Sequence, residues 1–346
     1  MKICHVLPFA PYRCGLYEAA RDMIKADYLI GGHEVIIIDA GIIKDGKMVE
    51  EGKENQIDNR SDYKLITDNL NKIDEADIII MHTGLSDNIL VRTDAPLIWV
   101  VHGRPLACFR PEIQGKSQAY SLYHNVSKWS RTKKMLYFWP EYIPHWKPIF
   151  QEKNLCLDYP VIDSKPFNQN LKHTFSSTGK YNLILCDADR EDYDIYETLI
   201  GVLEASKHIE GLKLHIYGLE FPLNNPYNIL LGIMKEKGIL GDLLPRTTEL
   251  NKVFNSGDCL ITPNHIITRT IGEAINAGLP IICQESSKVT PYSAKFNDTF
   301  NLVSTIQDFC EDFDAGINLN NKDLKEGMSL INYSNKMDKI YKEIKK

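Results

Sequence analysis

Apolar positions along the chain fall mostly into short unbroken runs, closed by Gly, Pro or polar residues, and only rarely into strict alternation. That pattern belongs to strands buried on both faces, as in a parallel sheet covered by helices. Lys2 to Pro8 predicts the first strand, and Phe9 to Cys14 a loop closed by Gly15. From Leu16 to Leu29, residues Ala19, Ala20, Met23, Ile24 and Tyr28 share one helical face; Gly31-Gly32 stops the helix and His33 to Ile38 is the next strand. Gly41 to Arg60 is a polar surface excursion, Tyr63 to Ile73 a helix, and Ala76 to Met81 and Pro96 to Val101 are strands, the last running into His102-Gly103. Leu155 to Ile162 predicts one more strand before a polar stretch, Asp163 to Lys180.

A second alternation follows. Strands are expected at Tyr181 to Cys186, Leu212 to Tyr217 (ending at Gly218) and Leu243-Leu244, with helices at Tyr196 to Ser206, Tyr227 to Lys237 and Leu250 to Asn255. Asn301 to Val303 reads as a last short strand, and Ile306 to Phe313 and Lys322 to Lys345 as helices. Alternation of this kind predicts two doubly wound, Rossmann-like parallel sheets. The expected division is 1–165, 166–325 and a C-terminal helix, 326–346, that packs back towards the first domain.

The stretch Asp258 to Glu285, DCLITPNHIITRTIGEAINAGLPIICQE, holds the densest chemistry. It reads as strand, polar loop, helix from about Thr270, a Gly278-Leu279-Pro280 stop, and strand. Such a unit sets its loop and helix N-terminus at the carboxyl edge of the sheet, where unpaired N–H groups and the helix dipole favour an anion such as phosphate. Arg269, just before the helix, supplies a planar fork of donors suited to phosphate oxygens. Glu273 has two readings: a carboxylate that favours the dipole, or one that grips a pair of sugar hydroxyls.

Composition narrows the classes. The 346 residues carry a net charge of −6, which disfavours a protein coated in positive charge. No apolar run reaches the roughly 20 residues of a membrane span, and the start lacks a signal peptide, so the expected location is cytoplasmic. The eight cysteines form no CxxC pair and mostly lie in apolar runs, as thiols of a reducing compartment do. The histidines show no HxxxH spacing, and Asp187-Ala188-Asp189 reads as a loop with capping aspartates, so no metal site is expected. One segment departs from the rest. Val101 to Phe150 has eight basic residues against two acidic, a local +6, interleaved with ten Phe, Tyr and Trp side chains. Either it meets a polyanion or an anionic membrane surface, with Arg104, Arg110, Lys128, Trp129, Arg131 and Lys133 as contacts, or it is a solvated basic face over an aromatic core.

Taken together, Met1 to Val35 with its GGHEV ending, Val101-His102-Gly103, Tyr159 to Asp163, LNKVFNSGDCLITP and GEAINAGLPIIC resemble the GT-B glycosyltransferases, particularly the large group with a Glu-x7-Glu pattern. The resemblance covers most of the chain. It implies two Rossmann-like domains facing a cleft, the first on the acceptor side and the second binding a nucleotide-diphosphate sugar, UDP-sugar foremost, with no metal or other cofactor. By the same resemblance Glu273 holds the nucleotide ribose and Arg269 the diphosphate, with Gly15, Arg190, Gly218, Thr268 and Thr270 around the donor. His102 lies near the donor sugar, as a contact or a base, although a lone histidine at a strand end is as readily structural. The sequence departs from the pattern at His265, which stands where the group places its first glutamate. The implied reaction is sugar transfer to a hydroxyl, on a glycan or lipid-linked glycan, with retention of configuration. A hydroxymethylated base in DNA is the second acceptor class, suggested by the basic aromatic segment and including a phage-type DNA glycosyltransferase. A sugar-nucleotide epimerase of the same fold and a non-catalytic nucleotide-sugar-binding module are the remaining alternatives.

Overall fold

The computed structural model describes residues 1–9, 15–44, 47–58, 63–82, 93–103, 105, 123, 126, 129–167, 171–186, 195–219, 227–245, 247, 249–285, 292–317 and 322–345. The chain divides into two compact units, Met1–Asp163 with Gly327–Lys346, and Ser164–Glu326.

In the first unit a six-stranded sheet is built from β1 (Lys2–Leu7), β2 (Glu34–Asp39), β7 (Ile78–Met81), β8 (Leu97–Val101), β9 (Thr132–Tyr137) and β10 (Asn154–Cys156). Between β2 and β7 lie two hairpins, β3 (Ile42–Lys44) with β4 (Lys47–Glu50) and β5 (Ile57–Asp58) with β6 (Leu65–Ile66). The sheet order is β10-β9-β8-β7-β1-β2, parallel throughout. β7 and β8 are buried along their whole length, which explains their unbroken apolar sequence. The order reverses between β1 and β7, the kind of position at which open α/β sheets bind ligands.

The second unit repeats the plan with β11 (Tyr181–Leu185), β12 (Leu212–Tyr217), β13 (Leu240–Leu244), β14 (Cys259–Thr262), β15 (Ile281–Gln284) and β16 (Tyr292–Ala294), in the order β13-β12-β11-β14-β15-β16. Its reversal lies between β11 and β14. The two doubly wound parallel sheets are those the alternation predicts.

Local differences have identifiable causes. Tyr63 to Ile73 is not a helix: Leu65–Ile66 pairs with Ile57–Asp58, and Asn69 caps a 3-10 turn, Leu70–Glu75, by accepting from Asn71 N. Thr67, Asp68 and Asn69 bond backbone N–H groups from their side chains, and so compete with a helix. The strand expected through Ile162 stops at Cys156, because Asp158 adopts φ 64°. Asn301 to Val303 belongs to a helix, Thr299–Asp314, whose N-cap Asp298 accepts from Asn301 N.

The first helix is α-helical over Gly15–Lys25 and widens to a π-helix over Ala26–Ile30. Lys25 is fully buried and pairs with Asp163, whose N–H donates to Asp22 Oδ2 at 3.1 Å. The C-terminal helix Leu330–Ile344 packs on the π-helical turn through buried Tyr333, Met337 and Tyr341. His33 Nε2 lies 3.0 Å from Asp338 Oδ1 across this contact.

Candidate functional site

In the second unit β14 leads through residues 263–268 into the helix Arg269–Ala277. Thr268 is its N-cap, extended at φ −65° and ψ 170°, with its hydroxyl accepting from Ile271 N at 3.3 Å. The helix thus starts one residue earlier than expected, and Arg269 and Thr270 are its first two residues. The opening N–H groups of a helix have no carbonyl within it, so this end is electropositive. Gly278, at φ 82°, closes the other end in the left-handed conformation that glycine adopts without a Cβ clash.

Arg269 Nε donates to Glu273 Oε1 at 2.7 Å, with the two side chains only 16% and 12% exposed. One turn of helix therefore joins the two residues expected to hold diphosphate and ribose. The four-residue spacing makes such a pair natural. His265 is exposed between buried Asn264 and Ile266, while Asn264 Nδ2 donates to Thr262 Oγ1 at 3.1 Å and anchors the loop to its strand. Gly218 follows β12 at φ 91°, with its N–H on Leu244 O at 3.0 Å. Arg190 and Asp187-Ala188-Asp189 lie outside the described residues.

In the first unit the carboxyl edge carries a different constellation. His102 directly follows β8, half-buried, 5.7 Å between ring centroids from Phe138. Its Nε2 lies 3.0 Å from His82 Nδ1; His82 Nε2 lies 3.0 Å from His5 Nδ1; and His5 Nε2 lies 3.0 Å from Asp27 Oδ2. Tyr341 donates to the same carboxylate oxygen at 2.9 Å. His5, His82 and Asp27 are buried, and the line crosses three adjacent strands at the sheet's reversal point. Burial, with His102 and His5 as neighbours, pushes the His82 imidazole well below its ordinary range, so this ring is neutral. The sequence reading finds only the last ring of this line. A signal for the others exists, since KICHVL, IIIMH and LIWVVH each place a histidine in or just after an apolar strand.

Gly15 is exposed at the start of its helix. Asp39, at the carboxyl end of β2, is already filled by its own chain: it accepts from Phe9 N, Gly41 N, Lys53 N and Gln56 Nε2. Of the described members of the basic aromatic segment, Phe138 lies at the His102 edge, while Arg131, Lys133 and Trp129 lie at the amino end of β9. Arg131 donates through Nε and Nη2 to Ala95 O, at 3.2 and 3.0 Å, at the amino end of the strands. Lys133 is exposed beside it and donates to Ser130 O, and Trp129 O accepts from Lys153. Phe138, Trp139, Tyr142 and Trp146 are buried. Arg104, Arg110 and Lys128 lie outside the described residues. Among the described residues no group of three or more His, Cys, Asp or Glu is placed to hold a metal, and no helix is long and apolar enough to cross a membrane.

No protein-family model matches the sequence, and no curated protein matches it either. Solved structures do. A glycosyltransferase from Rickettsia africae superposes with a TM-score of 0.66 at 17% identity, over 99% of this chain and 98% of that one. HepE of Anabaena, solved in complex with UDP and glucose, gives 0.65 at 11% identity over 99% and 100%. The sucrose-phosphate synthase of Thermosynechococcus elongatus gives 0.63 at 12% over 99% of each. Two parallel six-stranded sheets, each reversing beside its first strand, and full-length superposition on these enzymes give the chain the GT-B glycosyltransferase fold.

Proposed function

We propose that the chain is a glycosyltransferase that moves a sugar from a nucleotide-diphosphate donor, a UDP-sugar, to a hydroxyl acceptor. The observation that carries this reading is the helix start at Thr268 to Glu273, placed after β14 beside the reversal of the second sheet. Breaking the sugar–phosphate bond leaves negative charge on the diphosphate. Fixed donors aimed at that charge lower the barrier, and the helix N-terminus with Arg269 supplies them. Glu273 then exchanges its bond to Arg269 for one to the ribose hydroxyls, so donor binding opens an existing ion pair. His265 replaces a carboxylate on the sugar side with an exposed imidazole, which alters sugar selection more than nucleotide binding. The UDP complex of HepE supports UDP as the first donor to try.

A glycan or lipid-linked glycan is the acceptor class we favour. The DNA-base alternative relies on stacking groups, and burial of Phe138, Trp139, Tyr142 and Trp146 removes four of them from that role. Thermal shift with UDP and a panel of UDP-sugars tests the reading. A donor at 100 times its Kd adds about 2.7 kcal/mol, a rise of several degrees in Tm. The best donor is then incubated with glycan acceptors and with duplex DNA, and released UDP is measured. Stabilisation without UDP release under any acceptor leaves a binding module in place of an enzyme. No stabilisation by any nucleotide sugar overturns the proposal.

A further inference from the structure

We propose that Glu273 is an internal competitor for the diphosphate on Arg269, so that this helix start accepts a ligand carrying an anion and a sugar diol together and discriminates against either one alone. The inference rests on the sugar-transfer reading for the identity of the ligand. It goes beyond that reading by assigning the site a selectivity, for nucleoside diphosphates over inorganic pyrophosphate and over free nucleosides. Side chains of an α-helix lean towards its N-terminus, so Glu273 covers the turn that Arg269 opens. Its Oε1 accepts from Arg269 Nε at 2.7 Å, a short charge-assisted bond. Nε belongs to the side-on fork of the guanidinium, an edge that a carboxylate or a phosphate grips with two parallel bonds. A carboxylate oxygen thus already stands where a phosphate oxygen would, at the end of the helix whose N–H groups and dipole favour an anion.

Both side chains are largely withdrawn from water, at 16% and 12% exposure, so salt and solvent screen their bond less than that of an ordinary surface pair. Fraying does not relax it either. The Thr268 hydroxyl caps Ile271 N, and Ile271, Ala274 and Ile275 are buried beneath the same two turns. The pair therefore sets a cost that depends on what enters. A ligand that brings only an anion gains Arg269 and deprives Glu273 of this bond. A ligand that brings only hydroxyls gains Glu273 and deprives Arg269 of the same bond. A nucleoside diphosphate opens the pair once and makes both sets of contacts. Specificity is a difference of affinities, and a bond within the site that the wrong ligand must break is its repulsive element. A pair that served only to stiffen the helix, or to aim the guanidinium, has the opposite signature, because removal of one member then leaves binding to the other unchanged or weaker.

Binding of UDP, uridine and inorganic pyrophosphate to the full chain, to Glu273→Gln and to Arg269→Ala tests the competitor, with the melting temperature of each variant as the check on folding. UDP is followed by calorimetry, and the two fragments by ligand-observed proton and phosphorus NMR. Both variants should lose UDP affinity, by about tenfold or more. The fragments should move the other way. Glu273→Gln should bind pyrophosphate, and Arg269→Ala should bind uridine, each about threefold more tightly than the unaltered protein, the worth of a helical pair at this spacing that is partly withdrawn from water. Uridine decides the matter, because it is uncharged: loss of a cation does not attract it, and tighter binding reports the release of Glu273 from Arg269. Arg269→Gln, which keeps the helix propensity, repeats that measurement. Uridine binding that is unchanged or weaker in the Arg269 variants, while UDP binds the unaltered protein and is weakened by both changes, overturns the competitor and leaves the donor site standing. Weaker pyrophosphate binding in Glu273→Gln also overturns it, and makes Glu273 a support for the guanidinium. Failure of all three ligands to bind the unaltered protein removes the donor reading itself, and the competitor with it.

Discussion

The histidine–aspartate line of the first unit has a counterpart in the second, built around Asp242, His173, His215 and Tyr217. Asp242 Oδ1 accepts from Ser176 N at 2.8 Å and from Ser176 Oγ; Oδ2 lies 2.9 Å from His173 Nε2 and accepts from Tyr217 Oη at 3.0 Å. The Asp242 N–H donates to His215 Nδ1 at 3.1 Å, and His215 Nε2 lies 3.4 Å from Asn182 Oδ1. Phe175 stacks on His215 with 3.8 Å between ring centroids. Here an imidazole is flanked by a backbone N–H and an amide oxygen, neither of which relays a proton. The network clamps residues 173–176 onto the sheet. In the first unit each imidazole is flanked by another titratable group, and the line ends at the carboxyl edge. Residue type does not separate the two networks; the neighbours of each ring nitrogen do.

The largest expected effect breaks the clamp. Burial alone raises the Asp242 carboxyl, but bonds from Ser176, His173 and Tyr217 outweigh it and hold the group down to about 2. Asp242→Ala takes one buried acceptor away from Ser176, half-buried His173 and buried Tyr217 at once, so it should cost about 3–5 kcal/mol in denaturant unfolding. A loss below about 1 kcal/mol would show that the network is not a clamp. Acid should loosen the same unit next. Burial pushes His215 down to about 4, against the attraction of the Asp242 charge. Between that value and about 6.5 the unfolded ring binds a proton and the folded ring does not, so stability falls as pH falls through this window, by up to about 3 kcal/mol. His82, also depressed, acts in the same direction. The stabilisation from Asp242 has the opposite history. It is fully present above about 3.8, the ordinary carboxyl value, and is lost as pH falls through about 2. A His215→Gln chain should therefore show a flatter stability profile between pH 4 and 6.5; an unchanged profile would place the acid sensitivity elsewhere.

The charged pair at the helix start tests the ligand side of the comparison. Exchange of Arg269 for alanine should weaken UDP-sugar binding tenfold to a hundredfold, about 1.5–3 kcal/mol for charge-assisted bonds to a diphosphate. Stability should change by only about 0.5 kcal/mol, as for other helical pairs at this spacing. Equal donor affinity in Arg269→Ala and the parent chain, measured by calorimetry, would move the diphosphate away from this helix.

These contrasts also show what the sequence made legible. Strands buried on both faces are apolar runs, so β1, β7, β8, β11, β12 and β14 are readable directly. β9 hides because its sequence TKKMLY begins with polar residues and sets Lys133 in solvent. β16 hides because three residues carry no period. The helix start at Thr268 follows from local capping chemistry and is found to within one residue. Glu273 and Arg269 are readable as neighbours on one helix start, and their spacing of four already implies that they can bond to each other. The histidine line of the first unit is different, because its links join residues 22, 77 and 20 positions apart. Each histidine alone looks like an ordinary core residue. Only the strand order β8-β7-β1 brings the three together.

A small expected effect on stability also gives the sharpest test of the difference between the two networks. His102 and His173 are the partly exposed ends of their lines, with His102 Nε2 on His82 Nδ1 and His173 Nε2 on Asp242 Oδ2. Replacing either by alanine takes one hydrogen-bond partner from a buried group. Asp242 keeps Ser176 and Tyr217, and His82 keeps its bond to His5, so both variants should lose about 1 kcal/mol. On stability the two ends should be alike. On sugar transfer they should part: His102→Ala should lower kcat with donor KM unchanged, by the 10²- to 10⁴-fold typical of a removed general base, while His173→Ala should leave kcat within about twofold. Equal losses of kcat in the two variants would mean that both histidines act through stability alone, and the contrast between the two networks would have no functional content.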